Sequence, residues 1–108
     1  MEKKVSILNN RSVIKISGKD SLLFLNNIIS SDLEKINHEE LFITTILSPQ
    51  GKILFDFFII KNEDYYLIEC SKNQLNDLIN KLKLYSLMLN VTFEKADLDV
   101  IVSNYFYQ

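Results

Sequence analysis

One carboxylate interrupts an otherwise apolar segment of this 108-residue sequence. Asp56 lies within residues 53–59, where the alternation of a β-strand places it on one face with Leu54, Phe58 and Ile60. An ionised carboxylate on an apolar face costs several kcal/mol unless a donor satisfies it. Two interpretations are open. Asp56 either accepts a hydrogen bond from an amide or a basic side chain, or faces water, or else it lies in a cavity where it binds a ring N–H or polarises an amine.

Three further residues could take part in chemistry, and each also has an ordinary structural interpretation. Arg11 is the only arginine, and an isolated arginine is usually a surface or ion-pair residue. Cys70, the only cysteine, ends a predicted strand without an identifiable basic neighbour, which favours a small core residue over a nucleophile. His38 is the only histidine and lies in a charged loop, which is typical of a surface residue.

The sequence contains no recognised catalytic or metal-binding motif. Gly18 and Gly51 are the only glycines and lie too far apart for a glycine-rich phosphate loop. One cysteine and one histidine cannot supply the three or four ligands of a zinc site or hold an iron–sulfur cluster. We therefore predict no catalytic residues and no metal ligands, and an autonomous hydrolase is not indicated.

The hydrophobic pattern predicts two helices that alternate with strands. The first helix follows Gly18, with Ser17 and Asp20 spaced as a helix-start cap. The second begins with a capping box formed by Ser71 and Gln74 and runs to about residue 85. The predicted strands cover residues 13–17, 41–47, 52–60, 65–70, 91–94 and 98–102.

This order of elements, β-α-β-β-β-α-β-β, predicts one α+β domain over residues 1–108, with the two helices on a mostly antiparallel sheet. Short connections around residues 48–51 and 61–64 make the three central strands an antiparallel meander. The last predicted strand is followed directly by aromatic residues, and an exposed strand edge tends to pair. This strand either folds back on the sheet or mediates self-association within a larger body.

The amino-acid composition limits the classes of function that this protein can have. The chain is 47% hydrophobic and carries a net charge of −2 with eleven lysines and one arginine, which argues against a broad nucleic-acid-binding face. Its longest apolar run, residues 57–60, is far shorter than a membrane span. A single cysteine favours a reducing compartment, and the excess of lysine over arginine favours an AT-rich bacterial genome. We therefore expect a cytoplasmic bacterial protein.

Three segments carry a resemblance to a known family. The first contains Ser17-Gly18-Lys19-Asp20-Ser21 and then Phe24-Leu25 and Ser30-Ser31-Asp32. The second is Leu47-Ser48-Pro49-Gln50-Gly51-Lys52-Ile53-Leu54-Phe55-Asp56-Phe57, and the third is Leu82-Lys83-Leu84-Tyr85-Ser86-Leu87-Met88-Leu89-Asn90-Val91. In this order they resemble the N-terminal part of the YgfZ/GcvT folate-binding superfamily, and the third segment favours YgfZ over the aminomethyltransferase.

The resemblance implies that the chain binds tetrahydrofolate or a derivative and serves iron–sulfur cluster assembly or repair, with effects on tRNA modification. Asp56 aligns with the family aspartate that engages the folate amine, and Arg11 aligns with a position that lines the folate site. The family's Lys-Gly-Cys segment is absent, and Cys70 does not match it. Expected partners are folate and iron–sulfur proteins or their assembly factors. The alternatives are an aminomethyltransferase-like one-carbon transfer enzyme and a degenerate oligomerising module without a ligand.

Overall fold

The computed structural model describes the backbone of residues 2–8, 10–37, 40–97 and 100–106, and side chains within residues 10–37 and 40–97. This part of the chain forms seven strands and two α-helices. They are β1 (Glu2–Leu8), β2 (Arg11–Ser17), α1 (Ser21–Ile28), β3 (Leu41–Leu47), β4 (Ile53–Lys61), β5 (Tyr66–Ser71), α2 (Leu75–Tyr85), β6 (Thr92–Ala96) and β7 (Val100–Phe106). Neither helix is long and apolar enough to cross a membrane.

Five of the strands form one antiparallel sheet in the order β3-β4-β5-β2-β6. The predicted α+β class and the β3-β4-β5 meander are confirmed. The predicted order of elements was incomplete, because β1 precedes the first predicted strand. The lysines and serine of β1 dilute the alternation that would have indicated a strand.

The C-terminal strand does not fold back on the five-stranded sheet, so that predicted arrangement was wrong. β7 covers Val100–Phe106 and pairs with β1 in an antiparallel two-stranded ribbon, from Leu8 opposite Val100 to Glu2 opposite Phe106. It is therefore not a further strand of the five-stranded sheet, and within the described chain it pairs on one side only, so self-association through its other edge stays a prediction. Pairing between the two ends of the described chain spans about a hundred residues, and periodicity within one segment carries no information about it.

The hydrophobic core lies between the helices and one face of the five-stranded sheet. The side chains of α1 and α2 that are buried there are those of Phe24, Leu25, Leu75, Leu78 and Leu82. They pack against a strand surface made of Ile14, Ile16, Ile46, Phe57, Ile59, Tyr66, Ile68 and Cys70. The opposite face of the sheet has no helix packed against it within the described chain, and this is the surface that carries the candidate site.

The turn before α1 does not cap the helix as predicted. The Asp20 carboxylate accepts a hydrogen bond from the Asn90 backbone N–H at 2.7 Å, and the Asp20 N–H donates to the Asn90 carbonyl at 3.1 Å. Gly18 has a φ of +116°, and a Cβ there would lie 2.3 Å from the same carbonyl oxygen. The predicted cap was wrong because Asp20 binds the loop after α2 instead of the first turn of α1.

The predicted capping box of α2 is also wrong, although the helix itself is confirmed. Ser71 makes no side-chain capping hydrogen bond, because a 3₁₀ turn over Lys72–Gln74 intervenes before the α-helix begins at Leu75. The helix ends at Tyr85, as its periodicity predicts. Its apolar stripe holds α2 on the sheet, so packing and not capping fixes the helix.

Candidate functional site

The structure places Asp56 on the face of the sheet that points away from α1 and α2, which we call the outer face. The neighbouring residues Phe57 and Ile59 are buried beneath the helices, so the alternation of β4 directs Asp56 outwards. Asp56 is exposed. Of the arrangements that the sequence left open, the structure shows one in which the carboxylate faces water, because both faces of β4 are apolar and Asp56 lies on the uncovered one.

Arg11 lies on the same outer face, at the start of β2. Its Nε donates a hydrogen bond to Oε1 of Glu69 on the adjacent strand β5, and the two side chains are 24% and 14% exposed. This hydrogen bond raises the pKa of the Arg11 guanidinium; partial burial opposes the change, and the charges of Glu69, Cys70 and Asp56 support it. The ion-pair interpretation of Arg11 is confirmed.

Sequence reasoning missed Glu69. The signal that could have found it is the same one that identified Asp56: Glu69 is the only acidic residue of β5, and it alternates with the buried residues Ile68 and Cys70. The contact itself depends on the pairing of β2 with β5, which joins residues 58 positions apart. Local periodicity cannot supply that register.

Arg11 and Asp56 line one small depression in the outer face. Its volume is about 160 Å³, and its remaining walls are Ile43, Phe57 and Phe58. A guanidinium and a carboxylate over apolar side chains can bind a flat ligand that offers a hydrogen-bond acceptor beside an N–H donor. Whole-ligand pockets occupy roughly 300–1,000 Å³, so this depression is sized for one ring of a larger ligand.

Two other depressions lined by described residues are larger but chemically plainer. One, of about 320 Å³, is lined by Ile28, Leu47, Pro49 and Tyr85 among others, with no charged side chain. The second, of about 340 Å³, contains Asp77 and Lys81. These two residues are four apart on α2, the ordinary spacing of side chains that face solvent together. We therefore assign the candidate site to the depression that contains Arg11 and Asp56.

Cys70 and His38 are not part of this site as the structure describes it. Cys70 is fully buried beneath the helices, which confirms its predicted role in the core. Burial raises the pKa of its thiol; the Arg11 cation acts in the opposite direction, and Glu69 adds to the increase. His38 lies outside the described residues. Among the described residues, no group of three His, Cys, Asp or Glu side chains could hold a metal ion.

Several known proteins are similar to this chain, although no family model matches it. An iron-sulfur cluster assembly factor IBA57 homologue, mitochondrial, from Coccidioides immitis is 30% identical over 105 residues, which cover 83% of this chain and 25% of that protein. An aminomethyltransferase from Caldanaerobacter subterraneus subsp. tengcongensis is 26% identical over 93 residues, covering 81% of this chain and 25% of that protein.

The solved structure of the glycine cleavage system aminomethyltransferase T from Bartonella henselae superposes with a TM-score of 0.83. The match covers 94% of this chain and 28% of that one at 11% identity, so it shows the shared fold. This chain carries a GcvT/YgfZ-like domain. The expected family and fold are confirmed, and the GcvT/YgfZ-like domain spans about a quarter of the length of the relatives that it matches.

Proposed function

We propose that this GcvT/YgfZ-like domain binds a reduced folate of the tetrahydrofolate type and acts as an accessory factor in iron–sulfur cluster assembly or repair. The observation that carries the proposal is the meeting of Arg11 and Asp56 in one depression of the outer face. The relative from Coccidioides immitis, which is named an iron-sulfur cluster assembly factor and is 30% identical, supports the second half of it.

The chemistry of the depression suits a folate ring. The Asp56 carboxylate would accept hydrogen bonds from ring or amine N–H groups, and the terminal amino groups of Arg11 would donate to a carbonyl or carboxylate oxygen. Ile43 and Phe58 would contact the faces of the ring. The cluster is cargo of other proteins in this proposal, because a single buried cysteine cannot ligate it.

The proposal also covers where the protein acts and what depends on it. We place the protein in the bacterial cytoplasm, because a lone thiol suits a reducing compartment and the excess of lysine over arginine suits an AT-rich bacterial genome. Some tRNA-modifying enzymes contain an iron–sulfur cluster. These enzymes would lose activity as a secondary effect when cluster assembly or repair fails. This dependence requires no contact between the chain and tRNA.

Equilibrium titration with tetrahydrofolate under reducing conditions tests the ligand half of the proposal. Asp56→Asn keeps the size of the side chain but removes its charge, and we expect the Kd to rise about tenfold, since charged hydrogen bonds contribute about 1.5–3 kcal/mol. Asp64→Asn, in the exposed turn between β4 and β5, is the matched control and should bind like the wild type. Equal affinity of wild type and Asp56→Asn would remove Asp56 from the site.

Complementation tests the iron–sulfur half. The full chain, expressed in a bacterial strain that lacks its own factor of this type, should restore the activity of an iron–sulfur enzyme. The Asp56→Asn chain, expressed to the same level, should restore less of it. If the wild-type chain binds folate but restores no activity, the iron–sulfur assignment is wrong and the folate assignment stands.

Aminomethyl transfer is a second candidate, favoured by the relative from Caldanaerobacter subterraneus and by the Bartonella henselae fold. It would require a partner protein that carries the aminomethyl group. Formation of methylenetetrahydrofolate and ammonia from such a partner and tetrahydrofolate would establish it. Folate binding without this turnover would favour the accessory role.

A further inference from the structure

Three charged side chains from three adjacent strands converge on the outer face. In the β2–β5 pairing, Glu69 lies opposite Val13, which is two positions along β2 from Arg11. In the β4–β5 pairing, Glu69 lies opposite Phe58, which is two positions along β4 from Asp56. Because alternate residues of a strand share a face, Arg11, Glu69 and Asp56 all lie on the outer one. Glu69 thus occupies the central strand, between the other two charges.

The guanidinium has two anionic neighbours and is bonded to one of them. Its Nε donates to Glu69, while its two terminal amino groups have no hydrogen-bond partner among the described side chains and backbone. The negative charge of Asp56 also acts on Arg11, and both residues line the same depression. Asp56 and the guanidinium therefore share one depression, but the guanidinium is hydrogen-bonded to Glu69.

We propose that Glu69 is a positioning residue of this site. By accepting from Nε it holds the guanidinium away from Asp56, so that the terminal amino groups of Arg11 and the carboxylate of Asp56 both remain free for a ligand. The ligand class is a ring that offers an acceptor oxygen beside an N–H donor. This inference rests on the proposed folate function for the identity of that ligand, but the placement of the charges does not.

The difference in solvent exposure between the two carboxylates supports this role. Glu69 is less exposed than Arg11, so their charge-assisted hydrogen bond is less screened by solvent than a pairing with the exposed Asp56 would be. Among the described residues, removal of the Glu69 charge would leave Asp56 as the carboxylate that acts on the guanidinium. Arg11 and Asp56 would then satisfy each other, and both would have to separate before a ligand could bind.

Nuclear magnetic resonance of the guanidinium tests the placement without any ligand. Because Arg11 is the only arginine, selective ¹⁵N labelling of arginine gives one Nε–H signal. We expect slow solvent exchange of this proton in the wild type and in Asp56→Asn. In Glu69→Leu, which removes the acceptor, the signal should shift but stay protected, since Asp56 now accepts it, and in Glu69→Leu/Asp56→Ala protection should be lost. Equal, fast exchange in Glu69→Leu and this double variant would overturn the inference.

A double-mutant cycle with tetrahydrofolate tests the consequence. We expect Glu69→Gln to weaken binding about tenfold in the wild-type background, in line with the loss of a charged hydrogen bond. In the Arg11→Gln background the same substitution should change affinity by less than about twofold, because no guanidinium remains to reach Asp56. An equal loss of affinity in both backgrounds would contradict the positioning role. It would mean that Glu69 either contacts the ligand directly or only supports the fold.

The two proposals fail in different ways. If the wild-type chain binds no folate while the Nε–H signal follows the expected pattern, the folate function is wrong and the positioning role of Glu69 stands. If the wild type binds folate and Glu69→Gln binds equally well, the positioning role is wrong and the folate function stands. Thermal unfolding of each variant shows whether a loss of affinity reflects a loss of fold.

Discussion

Asp56 and Cys70 lie on opposite faces of the same sheet, and their surroundings determine what each can do. Asp56 is exposed on the outer face, beside a guanidinium and two apolar side chains, where a ligand can reach it. Cys70 is fully enclosed by the core, and its thiol has its pKa raised by burial. Since the thiolate is the reactive form, Cys70 packs the core and does not act as a nucleophile.

The raised pKa of Cys70 predicts how stability depends on pH. The unfolded chain releases the thiol proton near the ordinary pKa of 9.0, while the folded chain retains it to higher pH. The free energy of unfolding should therefore fall as the pH rises above about 9. Burial raises the pKa of Tyr66 above its ordinary 10.0 as well, which extends the decline.

Urea denaturation between pH 8 and 10.5 measures this decline. Cys70→Ala should reduce the slope between about pH 9 and 10, and Tyr66→Phe should leave that part of the slope in place. A Cys70→Ala profile parallel to that of the wild type would contradict the account of the thiol.

Between elements, one contact joins the start of α1 to the loop after α2. Asp20 makes two hydrogen bonds to Asn90, and the Asn90 carbonyl leaves no room for a Cβ at Gly18. Both helices pack on the same face of the sheet, so this contact fixes their ends relative to each other. It also gives a structural reason for the Ser17-Gly18-Lys19-Asp20 part of the family resemblance.

Substitution of the two glycines by alanine separates two costs, the steric clash of a new Cβ with a neighbour and the strain of a positive φ. Both have positive φ, +116° at Gly18 and +86° at Gly51, but a Cβ at Gly51 would meet nothing within 4 Å. We expect Gly51→Ala to cost about 1 kcal/mol of unfolding free energy from conformation alone. Gly18→Ala should cost at least about 3 kcal/mol, because the chain must also move. Equal losses in chemical denaturation would show that the Asn90 contact is not tight.

Where a segment has one clear hydrophobic periodicity, the sequence predicts its secondary structure. The i, i+3, i+4, i+7 spacing of α2 predicted its end at Tyr85, and the apolar run around Asp56 predicted β4 to within one residue at each end. Alternation also placed Asp56 correctly with Phe58 on one face, but it did not predict the register shift that pairs Leu47 with Ile53 and interrupts the alternation at Leu54. It could not tell which face the helices cover, because Phe55, Phe57 and Ile59 make the other face equally apolar.

Long-range pairing accounts for most of what the sequence did not reveal. The helix-start patterns at Asp20 and Ser71 are local, and the structure replaced the first with a hydrogen bond to Asn90 and the second with a 3₁₀ turn. The Arg11–Glu69 pair likewise joins strands that are distant in sequence. Arg11 and Asp56 were identified separately, and only the sheet order β4-β5-β2 shows that they line one depression.

At the scale of the whole molecule, the outer face around the proposed folate site is open and apolar. Large apolar side chains remain exposed on and around it, including Leu41 at 54%, Ile43 at 57% and Ile53 at 65%. The depression holds about 160 Å³, and the matched relatives are about four times as long as the segment they share with this chain. A folate bound here would therefore keep much of its surface open to solvent, and we expect weaker binding than in a closed pocket.

The most direct test of the ligand site is an amide chemical-shift titration of the wild-type chain with tetrahydrofolate. We predict saturable shifts for the outer-face residues Arg11, Asp56, Phe58 and Glu69, and none for the buried face of α2 at Leu78 and Leu82. Shifts confined to the depressions along α2, or no saturable shift at all, would contradict the assignment of a folate site to the outer face.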